Sequence, residues 1–224
     1  MSWLRETFAR APVTTTPRLN LPGAGESDPP VFLLGLDLGQ RRDYSALAIA
    51  QRTPPWGKGA SYLIRHLQRW RLGTPYQRVV DDVRALLNQT PLLGCSRLIL
   101  DETGVGVPIK ELFEQAHLPA PITGVMITAG SEAINAGRSW HVAKAILAGT
   151  VEVLLQNGRL KIAPALPEAA TLTRELANFE VRISDAGHAR FGSWRENEHD
   201  DLVLAAALAC WAGEQGVGAS LQAY

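Results

Sequence analysis

The chain has 224 residues, 46% apolar and 20% charged, enough for one domain with a full core. Its 22 basic and 22 acidic residues cancel, which argues against a protein that grips nucleic acid tightly alone and leaves that task to local basic patches or a partner. The longest apolar run, around Leu202 to Ala212, is too short and alanine-rich to span a membrane, and the first residues lack the basic start and apolar stretch of a signal peptide. Cys95 and Cys210 offer neither a disulfide framework nor metal-ligand spacing, so both are expected as small core residues in a reducing cytoplasm.

In chain order, residues 1–30 carry Pro12, Pro17, Pro22, Pro29 and Pro30 with Gly23 and Gly25, a composition that predicts a flexible arm or linker. A single domain is expected over 31–215, followed by a flexible tail at 216–224. The domain opens on Val31 to Gly39, an apolar strand buried on both faces that runs into Asp37. Ser45–Gln51 and Ser61–Arg71 read as the next two strands, the latter with Leu63, Leu67 and Tyr62 as core candidates, around turn chemistry at Thr53-Pro54-Pro55-Trp56-Gly57. Tyr76–Asn88 has apolar residues at Val79, Val80, Val83, Leu86 and Leu87, the spacing of an amphipathic helix, with Thr74 as its expected N-cap. Arg97–Asp101 is a buried strand ending in an acid, Val107–Ala116 a helix and Ile122–Ile127 a strand. Arg138–Gln156 reads as mostly helical, with a stop at Asn157-Gly158, and Leu160–Ala163 as a short strand. Leu166–Ala177 is a helix, Glu180–Ile183 with Ala189–Phe191 a hairpin around Asp185-Ala186-Gly187, and Asp200–Ala212 a strongly apolar closing helix. An antiparallel meander followed by alternating helices and strands predicts an α/β domain with a central mixed sheet flanked by helices. This order resembles the RNase H-like fold, with additions before the last helix. A doubly wound nucleotide-binding sheet fits less well, because its opening strands alternate with helices.

Three places put carboxylates at the ends of buried elements: Asp37 after the first strand, Asp101 after the fourth, and Asp200-Asp201 at the start of the last helix. A buried carboxylate is costly unless solvated, hydrogen-bonded or bound to a cation, and ligands of open sheets sit beyond the strand ends. If the two strands lie side by side, Asp37 and Asp101 share one cleft, and the last helix can bring Asp200 and Asp201 to it. A divalent cation relieves the mutual repulsion of such a group, and hard oxygen donors suit Mg²⁺ or Mn²⁺. Two such ions roughly 4 Å apart can share one phosphate. Each acid also has an ordinary reading, Asp37 as a turn residue and Asp200 or Asp201 as a helix cap; three coincidences at the right element ends favour the metal reading.

Gly35-Leu36-Asp37-Leu38-Gly39 followed by Asp43-Tyr44-Ser45-Ala46-Leu47, then Leu98-Ile99-Leu100-Asp101-Glu102-Thr103-Gly104-Val105-Gly106, then His199-Asp200-Asp201-Leu202-Val203-Leu204-Ala205 resemble, in order, the motifs of the nuclease domain of the large terminase subunit of tailed bacteriophages. Lys144 and the Leu154–Ile162 run look like that family's helix–strand segment. The resemblance covers roughly residues 31–212. It implies two-metal-ion phosphodiester hydrolysis of double-stranded DNA, with Asp37, Asp101 and Asp200 or Asp201 as metal ligands and Asp43 as a secondary acid nearby. It also implies a phage or prophage origin, action in the cytoplasm of a bacterial host, and partners such as the ATPase motor and portal of a packaging machine. The family's ATPase is not expected in this chain: no Gly-x-x-x-x-Gly-Lys-Ser/Thr is present, since Trp56-Gly57-Lys58-Gly59 lacks both the upstream Gly and the hydroxyl residue.

Glu102, Lys144 and His199 are secondary site candidates, His199 as a ligand, a proton carrier or a cap. Arg41 and Arg42, just beyond Asp37, are candidates for DNA-backbone contact. Arg65, His66, Arg69, Trp70 and Arg71 form either a basic, aromatic strip for phosphates and bases or a plain solvated strand face. His188 and Arg190 on the hairpin could line a DNA path or shield the sheet edge. The competing reading is an actin-like or sugar-kinase-type ATP-binding protein, whose first strand also runs into Asp, a small apolar residue and Gly. A Holliday-junction-resolvase-like nuclease of the same fold would use the same carboxylates.

Overall fold

Hydrophobic alternation along β1 (Val31–Asp37) sends Phe32, Leu34 and Leu36 to one face and Leu33 and Gly35 to the other, and a separate buried cluster grows on each side. These elements come from a computed structural model, which describes residues 31–39, 43–53, 59–104, 107–183, 189–192 and 199–215. The arm at 1–30, the tail at 216–224, Arg41, Arg42, the 54–58 turn, the Asp185-Ala186-Gly187 turn and His188 lie outside the described residues.

β1 pairs antiparallel with β2 (Ala46–Thr53), which pairs antiparallel with β3 (Ser61–Arg69). On its other edge β1 pairs in parallel with β4 (Ser96–Asp101), and β4 with β5 (Ile122–Thr128). β6 (Ala133–Asn135), β7 (Ser139–Ala143) and β8 (Leu160–Ile162) complete an eight-stranded sheet in the order β6-β7-β5-β4-β1-β2-β3-β8. The expected mixed sheet with its antiparallel meander is therefore present, and it is the RNase H-like architecture. β9 (Glu180–Ile183) and β10 (Ala189–Gly192) form a separate hairpin, as their pattern predicts.

One face carries α1 (Tyr76–Leu87) and α2 (Val107–Gln115), with Val79, Val80, Val83, Leu87 and Phe113 packed on Leu34, Leu36, Leu98 and Leu100. The other carries α3 (Lys144–Gln156), α4 (Ala169–Asn178) and α5 (Asp201–Glu214). α5 is buried on every side from Asp201 to Gly213, which is why its sequence is apolar all round rather than striped.

Several local expectations give way to tertiary context. Residues 139–143 form a strand, not the start of a helix, because β7 pairs with β5 and β6 and Trp140 packs edge-on against Trp211 of α5, with ring centroids 5.5 Å apart. Thr74 does not cap α1: its hydroxyl donates to the Arg71 carbonyl at 2.7 Å, and Pro75 holds the cap position. In β3 a register shift opposite Ile49 and Ala50 leaves Arg65 unpaired, so Tyr62, Ile64, His66 and Leu67 are buried and Leu63 is only partly so. Cys210 is buried as expected, and Cys95 packs at the edge of the second cluster.

The approach of α5 to β1 sets where its first turn falls. A Cβ on Gly35 would stand 1.9 Å from the Ala205 carbonyl oxygen, so the helix lies on bare backbone at this point, two residues before Asp37. Gly35→Ala must push α5 outward. The overpacking should cost about 1–3 kcal/mol and lower the melting temperature; an unchanged melt would show that the contact is not tight.

Candidate metal centre

The parallel register places Leu36 opposite Leu100, so the next residues, Asp37 and Asp101, end neighbouring strands side by side on the face covered by α5. Asp37, Asp101 and Asp201 are 9%, 6% and 4% exposed, an unusual burial for three carboxylates. Asp37 and Asp101 lie within hydrogen-bond reach of each other. Asp101 is held by the turn that follows it: Thr103 N donates to its Oδ1 at 2.8 Å, while Thr103 Oγ1 accepts from Ile127 N at 2.7 Å and ties the turn to β5.

α5 delivers the third corner. Asp200 is the N-cap residue and Asp201 the first helical residue, yet the Asp200 side chain makes no capping hydrogen bond. It accepts instead from Lys144 Nζ at 2.7 Å. Lys144 heads α3, where the helix dipole disfavours a cation, and the acids across from it compensate. Asp201 turns inward, accepts from the Tyr44 backbone N–H, and keeps Oδ2 buried with no hydrogen-bond partner among the described residues.

A second lobe adjoins the first. Ligand atoms of Asp43, His199 and Asp201 all lie within 4.8 Å of one another. His199 Nδ1 is 3.7 Å from Asp201 Oδ2 and 4.0 Å from Asp43 Oδ1, and Tyr44 holds the imidazole edge-on with ring centroids 4.8 Å apart. Gly39 lets Asp43 and Tyr44 approach closely, since a Cβ there would strike the Asp43 carbonyl oxygen at 2.2 Å.

Burial dominates the electrostatics. It pushes the Asp37 carboxyl well above its usual range, reinforced by Asp101, Asp201 and Asp200 and opposed by Lys144. Asp101 is raised by burial, against its bonds to Thr103 and the Lys144 charge. Asp201 is pushed up to about 7 by burial, then by Asp200 and Asp43. Asp37 and Asp101 side by side, with Asp201 near enough to act on Asp37 and carrying an oxygen unpartnered among the described residues, are hard oxygen donors of the kind a divalent cation takes.

Other candidates fall elsewhere. Glu102 lies over Gly124 and accepts from Ser139 Oγ, on the sheet face opposite Asp101. Arg69 points inward: its Nη1 is 3.5 Å from Glu175 Oε1 and its guanidinium lies 4.3 Å from the Tyr44 ring centroid. Arg65 donates to Gln51 at 2.7 Å. His66 and Trp70 are buried, the latter donating to Asp82 at 2.9 Å, so the basic strip does not form one continuous face. Of Arg190 only the backbone is described.

Glu175 escapes a reading from motifs. It is buried on α4, accepts from Leu202 N and Val203 N at 3.0 and 3.2 Å, and is pushed up to about 7, chiefly by burial and then by Asp201 among the raising charges. The signal was its position three residues after Leu172, on the apolar stripe of its helix.

No protein-family model and no curated protein matches the chain. Solved structures do. The large terminase nuclease of thermophilic phage G20c with bound magnesium aligns at 22% identity and TM-score 0.61, over 82% of this chain and 82% of that one. The nuclease domain of the bacteriophage SPP1 large terminase with bound Mn aligns at 16% identity and TM-score 0.50, over 80% and 84%. The HK97 bacteriophage large terminase aligns at 16% identity and TM-score 0.54, over 83% of this chain and 40% of that longer one. The chain thus has the RNase H-like fold, and in particular the form of it found in large terminase nuclease domains.

The raised carboxyls set a pH dependence. Asp37, Asp101, Asp201 and Glu175 all titrate above their ordinary values of 3.8 and 4.5. Their contribution to stability is therefore fullest at low pH and is lost as pH rises through the folded-state values. Metal-free protein in EDTA should melt at lower temperature at about pH 8 than at about pH 5, and millimolar Mn²⁺ should reverse the loss at the higher pH. A flat profile would mean that the acids are not crowded in solution.

Proposed function

We propose that the chain is a metal-dependent endonuclease that cleaves double-stranded DNA by two-metal-ion phosphodiester hydrolysis. The observation that carries this reading is the pairing of Asp37 and Asp101 at neighbouring strand ends, with Asp200 and Asp201 near enough to act on Asp37 and with Asp201 Oδ2 unpartnered among the described residues. The likeness to nuclease domains whose structures hold magnesium or manganese supports it. Among the described residues no feature favours the actin-like or sugar-kinase reading.

Asp37, Asp101 and Asp201 would hold the cations, with Asp43 and His199 completing the outer lobe beside Asp201. Such cations supply Lewis-acid polarisation of the phosphate and a more acidic attacking water. The chain's own groups do the rest. Lys144 neutralises Asp200 and eases the charge on Asp37 and Asp101. His199 Nδ1, between two carboxylates at the rim, is placed to hold or release a proton. Arg41 and Arg42 are the residues we assign to backbone contact, next to Asp37 in sequence. The packaging machine's ATPase motor and portal are the partners this reading implies, in the cytoplasm of a bacterial host.

Supercoiled plasmid should be nicked and linearised with Mn²⁺ or Mg²⁺, with little sequence preference because phosphate is what the site reads; cleavage that survives EDTA would sink the reading. Asp37→Asn and Asp101→Asn should each lower cleavage at least about a hundredfold, since an amide keeps shape and loses the charge that holds the cation. Burial already favours the neutral form of both groups, so the metal-free variants should melt at or slightly above the parent temperature. Their stabilisation by Mn²⁺ should shrink. If Asp37→Asn unfolds the domain while metal still stabilises it normally, Asp37 is a structural turn residue.

Binding to DNA should be weak and fall steeply with salt, because a chain of zero net charge depends on a few arginines. Arg41→Ala with Arg42→Ala should weaken cleavage while leaving the melt unchanged. Affinity that is nanomolar and indifferent to salt would contradict this.

A further inference from the structure

An Asp at the N-cap normally spends its carboxylate on its own helix, accepting from the second or third helical N–H. α5 departs from that pattern. Its second and third residues, Leu202 and Val203, donate instead to Glu175 Oε2, a side chain from α4 that reaches the helix end laterally. With those amides taken, Asp200 is free to meet Lys144 at 2.7 Å, and Asp201 Oδ2 has no hydrogen-bond partner among the described residues. Glu175 is itself held from the other side, where Arg69 Nη1 approaches Oε1 at 3.5 Å. Arg69 lies on the Tyr44 ring, which in turn carries His199.

We propose that Glu175 is a positioning residue for the metal centre: it caps α5 in place of Asp200 and so keeps Asp200 on Lys144 and Asp201 facing the cations. The metal half of this statement rests on the nuclease reading above; the capping half does not. Without an acceptor at 175, Asp200, among the best N-cap side chains, turns back to its own helix and leaves the site.

The test has two arms. The first is a metal-free melting cycle over the parent, Asp200→Ala, Glu175→Met and the double variant, Met keeping volume while removing the acceptor. In the parent background Asp200→Ala should shift the melting temperature little. In the Glu175→Met background it should lower it by several degrees, because Asp200 has become the cap. Additive shifts overturn the proposal. Should Glu175→Met not fold, the cycle is run on Glu175→Gln, whose neutral carbonyl is a weaker acceptor than a carboxylate; the coupling should be smaller and of the same sign, and additivity is again fatal.

The second arm is calorimetric titration with Mn²⁺. Folded Glu175→Met should bind it roughly tenfold more weakly than the parent, as expected when a ligand's support is lost, while Glu175→Gln recovers part of the affinity. Unchanged Mn²⁺ affinity in folded Glu175→Met overturns the positioning role. If the parent itself binds no Mn²⁺, the nuclease reading and the metal half fall together, and the melting cycle still decides who caps α5.

Discussion

The structure is organised around a repulsion. Asp37, Asp101, Asp200 and Asp201 meet where two strands end beneath the first turn of a buried helix, in surroundings that penalise charge. Left alone, such a group either takes up protons or pulls in a cation. The chain's own residues supply both remedies: burial pushes the strand-end acids toward their neutral forms, and Lys144 lends its charge to Asp200. A lysine at a helix N-terminus is a poor choice for the helix and a sensible one for the acids opposite it.

The geometry that produces this crowding is rigid. Bare backbone at Gly35 lets α5 lie directly on β1, and Trp211 fixes the helix against Trp140 of β7. From the other side a chain of contacts runs from Glu175 through Arg69 and Tyr44 to His199, joining α4, β3 and the loop before β2 to the start of α5. Arg69 illustrates how position decides role. As a cation on a strand it reads as a phosphate contact; in place, its guanidinium spans a buried carboxylate and an aromatic ring, a use that suits its planar shape.

The two lobes of acids differ in character. Asp37 and Asp101 sit deep, on strand ends that cannot move without breaking the sheet. Asp43 and His199 stand at the rim, with Asp201 shared between the lobes. Such a division sets a firmly built pair of acids beside a more exposed one.

Much of this was legible in the sequence because it is local. Apolar runs ending in Asp37 and Asp101, the all-round apolar helix after Asp200-Asp201, and the order of strands and helices depend on neighbours a few residues away. The hairpin of β6 and β7 was not, since β7 is held by pairing with β5 and by Trp211, more than sixty residues onward. Side-chain direction was equally hidden. Nothing near residue 175 in the chain says that its carboxylate will cap a helix that starts at Asp201, that Glu102 will turn to the far face of the sheet toward Ser139, or that Arg69 will point inward. The sequence by itself determined which carboxylates exist and which buried elements carry them to the sheet edge. Tertiary packing alone decided which of them remain unsatisfied there, because a hydrogen-bond partner is a matter of spatial proximity and not of position along the chain.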